Sequence, residues 1–156
     1  MPQNSFMEEA IELSRKNVRE GNGGPFAAII VKDGEVIARG TNLVTLTNDP
    51  TAHAEVVAIR EACKRLKTFQ LRGCELYATC EPCPMCLGAI YWARLDRVYY
   101  ASTRDDAAQI GFDDLWIYEE LLLPLPKRKV RMTQIMRDEA LAAFRDWEKK
   151  TDRVQY

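Results

Sequence analysis

Two short stretches decide the reading of this chain: Thr51-Ala52-His53-Ala54-Glu55 and Cys80-Glu81-Pro82-Cys83-Pro84-Met85-Cys86. His53, Cys83 and Cys86 offer one imidazole nitrogen and two thiolates, a donor set that suits zinc. Three protein ligands leave a coordination position open for water, which marks a catalytic ion rather than a structural one. The expected cofactor is therefore one Zn2+ per subunit with a bound water or hydroxide, whose pKa the ion brings to about 7. Glu55 stands two residues beyond His53, where it can move protons beside the metal without ligating it. Taken singly, each piece has a plain alternative. His53 is the sole histidine and could be structural, while Cys-x-x-Cys also serves redox and structural zinc sites. Cys80 could close the site as a fourth ligand, but at a strand end it reads as a small buried residue, and Cys63 and Cys74 read as packing.

Outward from these stretches the periodicity alternates between helix and strand. Ser5 to about Glu20 has an amphipathic helical pattern, ended by Gly21, Gly23 and Gly24. Pro25 to Val31 is a nearly continuous apolar run, as expected of a strand covered on both faces. Asp33-Gly34 is a tight-turn signal that sends Glu35 to Thr41 back antiparallel. Residues 42–51 read as a loop, with Thr51 as N-cap of a helix from His53 to Leu66. Glu75 to Thr79 reads as a strand, and Pro84 opens a helix to about Arg94. Arg97 to Ala101 is a further strand, Asp113 to Leu122 a helix, Lys129 to Ile135 an alternating edge strand, and Arg137 to about Lys150 a last helix. The order predicts an α/β fold in three layers, α/β/α, around a central mixed five-stranded sheet, as a single domain over residues 1–156.

Composition narrows the partners. The chain has 156 residues, 47% of them hydrophobic, enough for one core and too few for two. Lys plus Arg number 22 against 23 Asp plus Glu, whereas a protein that grips nucleic acid through phosphates is ordinarily more basic. A small-molecule substrate is expected and nucleic acid disfavoured. The Lys127, Arg128, Lys129 and Arg131 cluster reads as a solvated edge that discourages strand pairing. The N-terminus lacks a secretory pattern, and no apolar run approaches the roughly 20 residues that span a bilayer. With an odd number of cysteines and no disulfide framework, the expected location is cytoplasmic.

The two motifs in this order are a recorded signature of zinc-dependent nucleobase deaminases. The chain resembles the cytidine deaminase-like superfamily, and within it looks like the small bacterial guanine deaminases. Besides the zinc stretches, the resemblance rests on Gly23-Gly24-Pro25-Phe26, Asn42, Leu87-Gly88-Ala89-Ile90-Tyr91-Trp92-Ala93-Arg94, Gly111-Phe112-Asp113-Asp114 and the terminal Tyr156. It implies hydrolytic deamination of guanine to xanthine and ammonia in purine breakdown or salvage, with Glu55 and Asp114 catalytic. It further implies that Phe26 packs on the purine, Asn42 hydrogen-bonds the base, and Asp114 engages its donor edge. Ala54, Trp92 and Tyr156 complete the implied substrate-binding set. A homodimer with an exchanged C-terminal segment is implied too, Trp92 and Tyr156 then serving the partner's pocket. Plain readings stand beside these: Phe26 as core, Asn42 as a turn residue, Asp113 or Asp114 as a helix cap, Trp92 as core or interface, Tyr156 as a frayed end. The rival activities are tRNA adenosine deamination and deamination of cytosine or an amino-triazine. A non-catalytic zinc-stabilised binding protein is the rival from another class, and Glu55 argues against it.

Overall fold

Apolar residues along Ala27–Lys32 (β1) are buried on both sides of the strand, so β1 lies in the middle of a sheet. A computed structural model describes residues 2–156 and divides them into two compact units, 1–115 and 116–156. In the first unit, α1 (Pro2–Arg19) precedes β1, and β2 (Glu35–Thr41) returns antiparallel to it. The turn between them places Asp33 at φ 51° and Gly34 at φ 79°, the paired left-handed conformations of a two-residue hairpin loop. A single helical turn, α2 (Val44–Thr47), interrupts the stretch expected to be loop. Then follow α3 (Ala54–Leu66), β3 (Cys74–Cys80), α4 (Pro84–Ala93), β4 (Arg97–Ser102) and α5 (Arg104–Gln109).

The strands run in the order β2-β1-β3-β4, with β3 antiparallel to β1 and β4 parallel to β3. Alternate residues of β1 face opposite layers. Ala28 and Ile30 pack with Ala54, Ala58 and Ala62 of α3 and Ile90 and Ala93 of α4. Ile29 and Val31 pack with Tyr77 of β3 and Ala10 of α1. Helices therefore cover both faces, as expected of an α/β/α unit. Gly40 is what brings α3 close: a Cβ there would fall 2.2 Å from the Ala54 carbonyl oxygen and 2.6 Å from the Ala58 nitrogen.

The mixed sheet agrees with the sequence reading, but it has four strands, not five. The missing one is the expected edge strand over residues 129–135, which forms no ladder. Val130, Met132 and Ile135 are instead exposed. Alternation supplies one apolar face to a strand but not the neighbouring backbone it must pair with. The second unit consists of most of α6 (Leu115–Leu122), a turn of 3-10 helix at Leu125–Lys127, and α7 (Arg137–Lys149). Within it Arg128 donates to the carbonyls of Leu121 and Leu123 at 3.1 and 3.0 Å, satisfying the C-terminal end of α6. No helix among the described residues is long and apolar enough to cross a membrane.

Candidate active site

Two helix N-termini of the first unit meet at one point. His53 is the N-cap of α3 and Cys83 the N-cap of α4, both in extended backbone conformation. The expectation that Thr51 caps α3 is corrected: its N–H and hydroxyl both donate to Asp49 Oδ1, at 2.8 and 2.7 Å. Pro84 occupies the first turn of α4, where its missing N–H costs nothing. Cys86 lies one turn into that helix, and its backbone N–H donates to Cys83 Sγ at 3.5 Å.

His53 Nδ1 stands 3.5 Å from Cys83 Sγ and 3.5 Å from Cys86 Sγ. The three donor atoms all lie within 4.8 Å of one another, close enough to share one ion. Two sulfurs and an imidazole nitrogen are a zinc-type set, and the grouping among the described residues stops at three. Cys80 is not in it; its Sγ faces the Thr103 carbonyl at 3.5 Å, and burial pushes its thiol up to about 11. Cys63 packs against the core and Cys74 lies within it.

Charge is distributed unevenly around the cluster. The Cys86 thiol and backbone N–H donate to Cys83, which outweighs burial and holds Cys83 well below the ordinary thiol range. Helix N-termini favour that thiolate as well. Cys86, the donor of the pair, lies correspondingly high. The Cys83 sulfur holds His53 above its usual value, against the effect of burial. Glu55, in the first turn of α3, is only 8% exposed. Burial raises its carboxyl group, and its Oε2 lies 3.5 Å from the Cys86 sulfur. A buried carboxyl group with raised proton affinity beside a metal-type donor set is the arrangement general acid–base chemistry requires.

A wall of the fold at the end of β2 adjoins the approach to α3, where the Leu43 N–H donates to the Ala52 carbonyl at 3.0 Å. Asn42, at the end of β2, is buried, and its Oδ1 accepts from the backbone N–H groups of Gly24 and Val44 at 3.4 and 3.3 Å. With the oxygen so occupied, the Nδ2 end is the one left to donate to a ligand. Asn17 of α1, fully within the fold, fixes this wall by donating to the carbonyls of Gly24 and Asn42, each at 2.9 Å. Phe26 is half-buried and meets Phe112 edge-on, ring centroids 5.0 Å apart at 89°. Neither Asn17 nor Phe112 is visible as a site residue in the sequence. Their only signals are a polar residue on a buried helix face and an aromatic within Gly111-Phe112-Asp113-Asp114.

The two aspartates separate cleanly. Asp113 Oδ1 accepts from Leu115 N at 2.9 Å, an Asx-turn bond to the first N–H of α6. Asp114 is half-buried, and burial and then the Cys83 charge raise its proton affinity while Arg104 opposes them. Ala54 is buried and opens α3, so its N–H lacks an intrahelical partner. Trp92 on α4 is 63% exposed, and Tyr156 in the second unit is 72% exposed. A surface hollow lined by Gln3, Phe6, Asp33, Glu75 and Arg97 lies at the other end of the sheet and contains none of the cluster residues.

Residues 1–102 match the cytidine and deoxycytidylate deaminase zinc-binding region. The chain belongs to that deaminase family. Over all 156 residues it is 51% identical to a guanine deaminase of Bacillus subtilis, covering the whole of both chains. The crystal structure of guanine deaminase from Bacillus subtilis superimposes with a TM-score of 0.96, at 51% identity and over 98% of both chains. A tRNA-specific adenosine deaminase of Aquifex aeolicus is 45% identical over 97 residues, which is 62% of this chain and 64% of that protein. Of these two relatives, only the guanine deaminase is matched over the whole chain, Asp114 and the second unit included.

Proposed function

We infer that this deaminase acts on guanine, converting it to xanthine and ammonia by hydrolysis. The observation that carries the inference is the full-length similarity to a guanine deaminase, which takes in Asp114 and the residues after it. The chemistry of the pocket supports it. Guanine presents ring and exocyclic N–H donors on one edge and carbonyl and ring-nitrogen acceptors on another. Asp114 is suited to the donor edge, and the Nδ2 of Asn42 to an acceptor. Phe26, steadied by Phe112, offers an aromatic face to the purine, and the free N–H of Ala54 offers one further donor.

In this reading His53, Cys83 and Cys86 would hold one zinc ion per subunit, and three ligands would leave a position for water. Zinc so held supplies the Lewis acidity that makes a water-derived nucleophile available at neutral pH. Glu55 takes the proton lost by the attacking water and delivers it to a ring nitrogen, then to the departing amine. A C–O bond forms at the amino-bearing carbon, the C–N bond there breaks, and the nitrogen leaves as ammonia. Asp114 assists proton transfer at the donor edge.

The protein acts as a homodimer in which the C-terminal segment is exchanged. Exposed Phe144 and Trp147 on α7 and exposed Tyr91 and Trp92 on α4 are apolar surfaces suited to a second copy. Trp92 and Tyr156 then complete the partner's pocket. The two compact units make one functional deaminase domain, working in the cytoplasm in purine breakdown or salvage.

Ammonia release tests the reading. Zinc-loaded protein should release ammonia from guanine, and not at comparable rates from adenine, cytosine, cytidine, an amino-triazine or a tRNA anticodon stem-loop. Turnover of the stem-loop in place of guanine would move the protein to the tRNA deaminases. Glu55→Gln should keep fold and zinc yet lose at least about 10²-fold in kcat, the low end for a positioned acid–base group; retention of most activity would remove Glu55 from its role.

A further inference from the structure

We propose that Arg104, clamped by Glu81 of the metal-binding loop, is a positioning residue that sets Asp114 for the donor edge of the substrate. The inference rests on the guanine reading and adds two residues to it. Glu81 stands one residue before the Pro82-Cys83 step, and its own N–H donates to the Ser102 carbonyl at 2.8 Å, locking it to the end of β4. Its carboxylate then reaches over the strand end with both oxygens. Oε2 accepts from the backbone N–H of Arg104 at 3.1 Å, and Oε1 lies 3.5 Å from Arg104 Nε. One side chain thereby fixes both the start of α5 and the base of the Arg104 guanidinium.

The segment that follows ends at Asp114, and its course is braced at each step. Thr103 and Asp106 form a capping box that holds the first turn of α5. Gly111 turns the chain at φ 93°, and the Phe112 N–H returns to the Ala107 carbonyl at 3.0 Å. The arm from the metal loop to Asp114 is thus a chain of directed bonds that begins at Glu81. Arg104 is also a cation whose charge acts on Asp114 and, with the backbone N–H of Asp114, opposes the larger effect of burial. A carboxylate must be ionised to accept from two adjacent N–H donors. Arg104 therefore serves in two ways: it anchors the arm, and its charge favours the ionised form of the acceptor.

The test measures guanine binding to full-length, zinc-loaded protein carrying Glu55→Gln, so that the ligand stays intact. Kd is compared across four backgrounds: no further change, Arg104→Met, Asp114→Asn, and both together. Arg104→Met should weaken binding roughly tenfold, the loss of one charge-assisted arrangement, and Arg104→Lys should recover part of it. In the Asp114→Asn background, Arg104→Met should add less than about twofold, because residues acting through one partner are not additive. An unchanged Kd in Arg104→Met, or a tenfold loss that persists without the Asp114 carboxylate, overturns the proposal. Failure of the parent protein to bind guanine at all would instead overturn the guanine reading.

Discussion

Replacing Gly40 with Ala should damage both the fold and the metal cluster, and the structure gives the size of the effect. The new Cβ would lie 2.2 Å from the Ala54 carbonyl oxygen, 2.6 Å from the Ala58 nitrogen and 3.0 Å from the Ala58 Cβ. Ordinary contact is roughly 3.5 Å, so strand and helix must separate by about 1 Å. Neither side yields easily. Gly40 is paired with Ala28 of the central strand, and two of the opposing atoms are helix backbone rather than a flexible side chain. Overpacking of this kind costs about 3 kcal/mol, the upper part of its usual range. For a chain of this length that is a fall in Tm of about 6–12 °C. The contact falls on Ala54 itself, between His53 and Glu55, so retreat of α3 would carry a metal donor and the buried carboxyl group with it. A misplacement of about 1 Å can cost about 10²-fold in rate. Calorimetry of the zinc-loaded protein, zinc retention against a chelator, and guanine turnover together read the effect. An unchanged Tm with wild-type turnover would refute the claim that the approach of α3 to β2 depends on the missing side chain.

The two aspartates at the end of the Gly111–Asp114 arm should part company on mutation. Asp113→Ala loses its hydrogen bond to the start of α6, worth about 1 kcal/mol, and should lower Tm while leaving guanine KM alone. Asp114→Ala should leave Tm alone and reduce guanine kcat/KM at least about 30-fold, since two hydrogen bonds to a charged acceptor are removed; the opposite pattern would exchange their roles. Deletion of the last few residues through Tyr156 should impair guanine turnover with zinc content intact, and unchanged kinetics would remove the tail from the pocket. Zinc affinity should fall steeply as pH is lowered from about 7.5 to about 5.5, because the imidazole and both thiols must be unprotonated to ligate. A flat response in a metal titration would exclude the His53–Cys83–Cys86 set as the ligands.

Where the signal in the sequence is local, sequence and structure agree closely. The Asp33-Gly34 turn, the bounds of β2, and the helix opened by Pro84 depend on the conformational preferences of a few adjacent residues. The capping-box pattern of Thr103 and Asp106 was equally present in the sequence, although α5 was not anticipated from it. The expected fifth strand marks the limit of such reasoning. Residues 129–135 have the right alternation, but a strand needs a partner backbone, and no pattern internal to the segment provides one.

By itself the sequence determined the donor set, its nearness to two helix starts, the carboxyl group two residues beyond His53, and a mixed sheet between helices. All of these follow from residue type and spacing along a few turns of chain. Only the tertiary structure decided that the starts of α3 and α4 bring His53 to 3.5 Å from both cysteines. It also decided that Gly40 governs how near α3 lies, that Asp113 rather than Asp114 bonds the start of α6, and that Glu81 grips Arg104. These contacts join residues far apart in the chain or choose between neighbours of identical chemistry. Spacing carries no information about either, because both are fixed by how closely packed elements can approach.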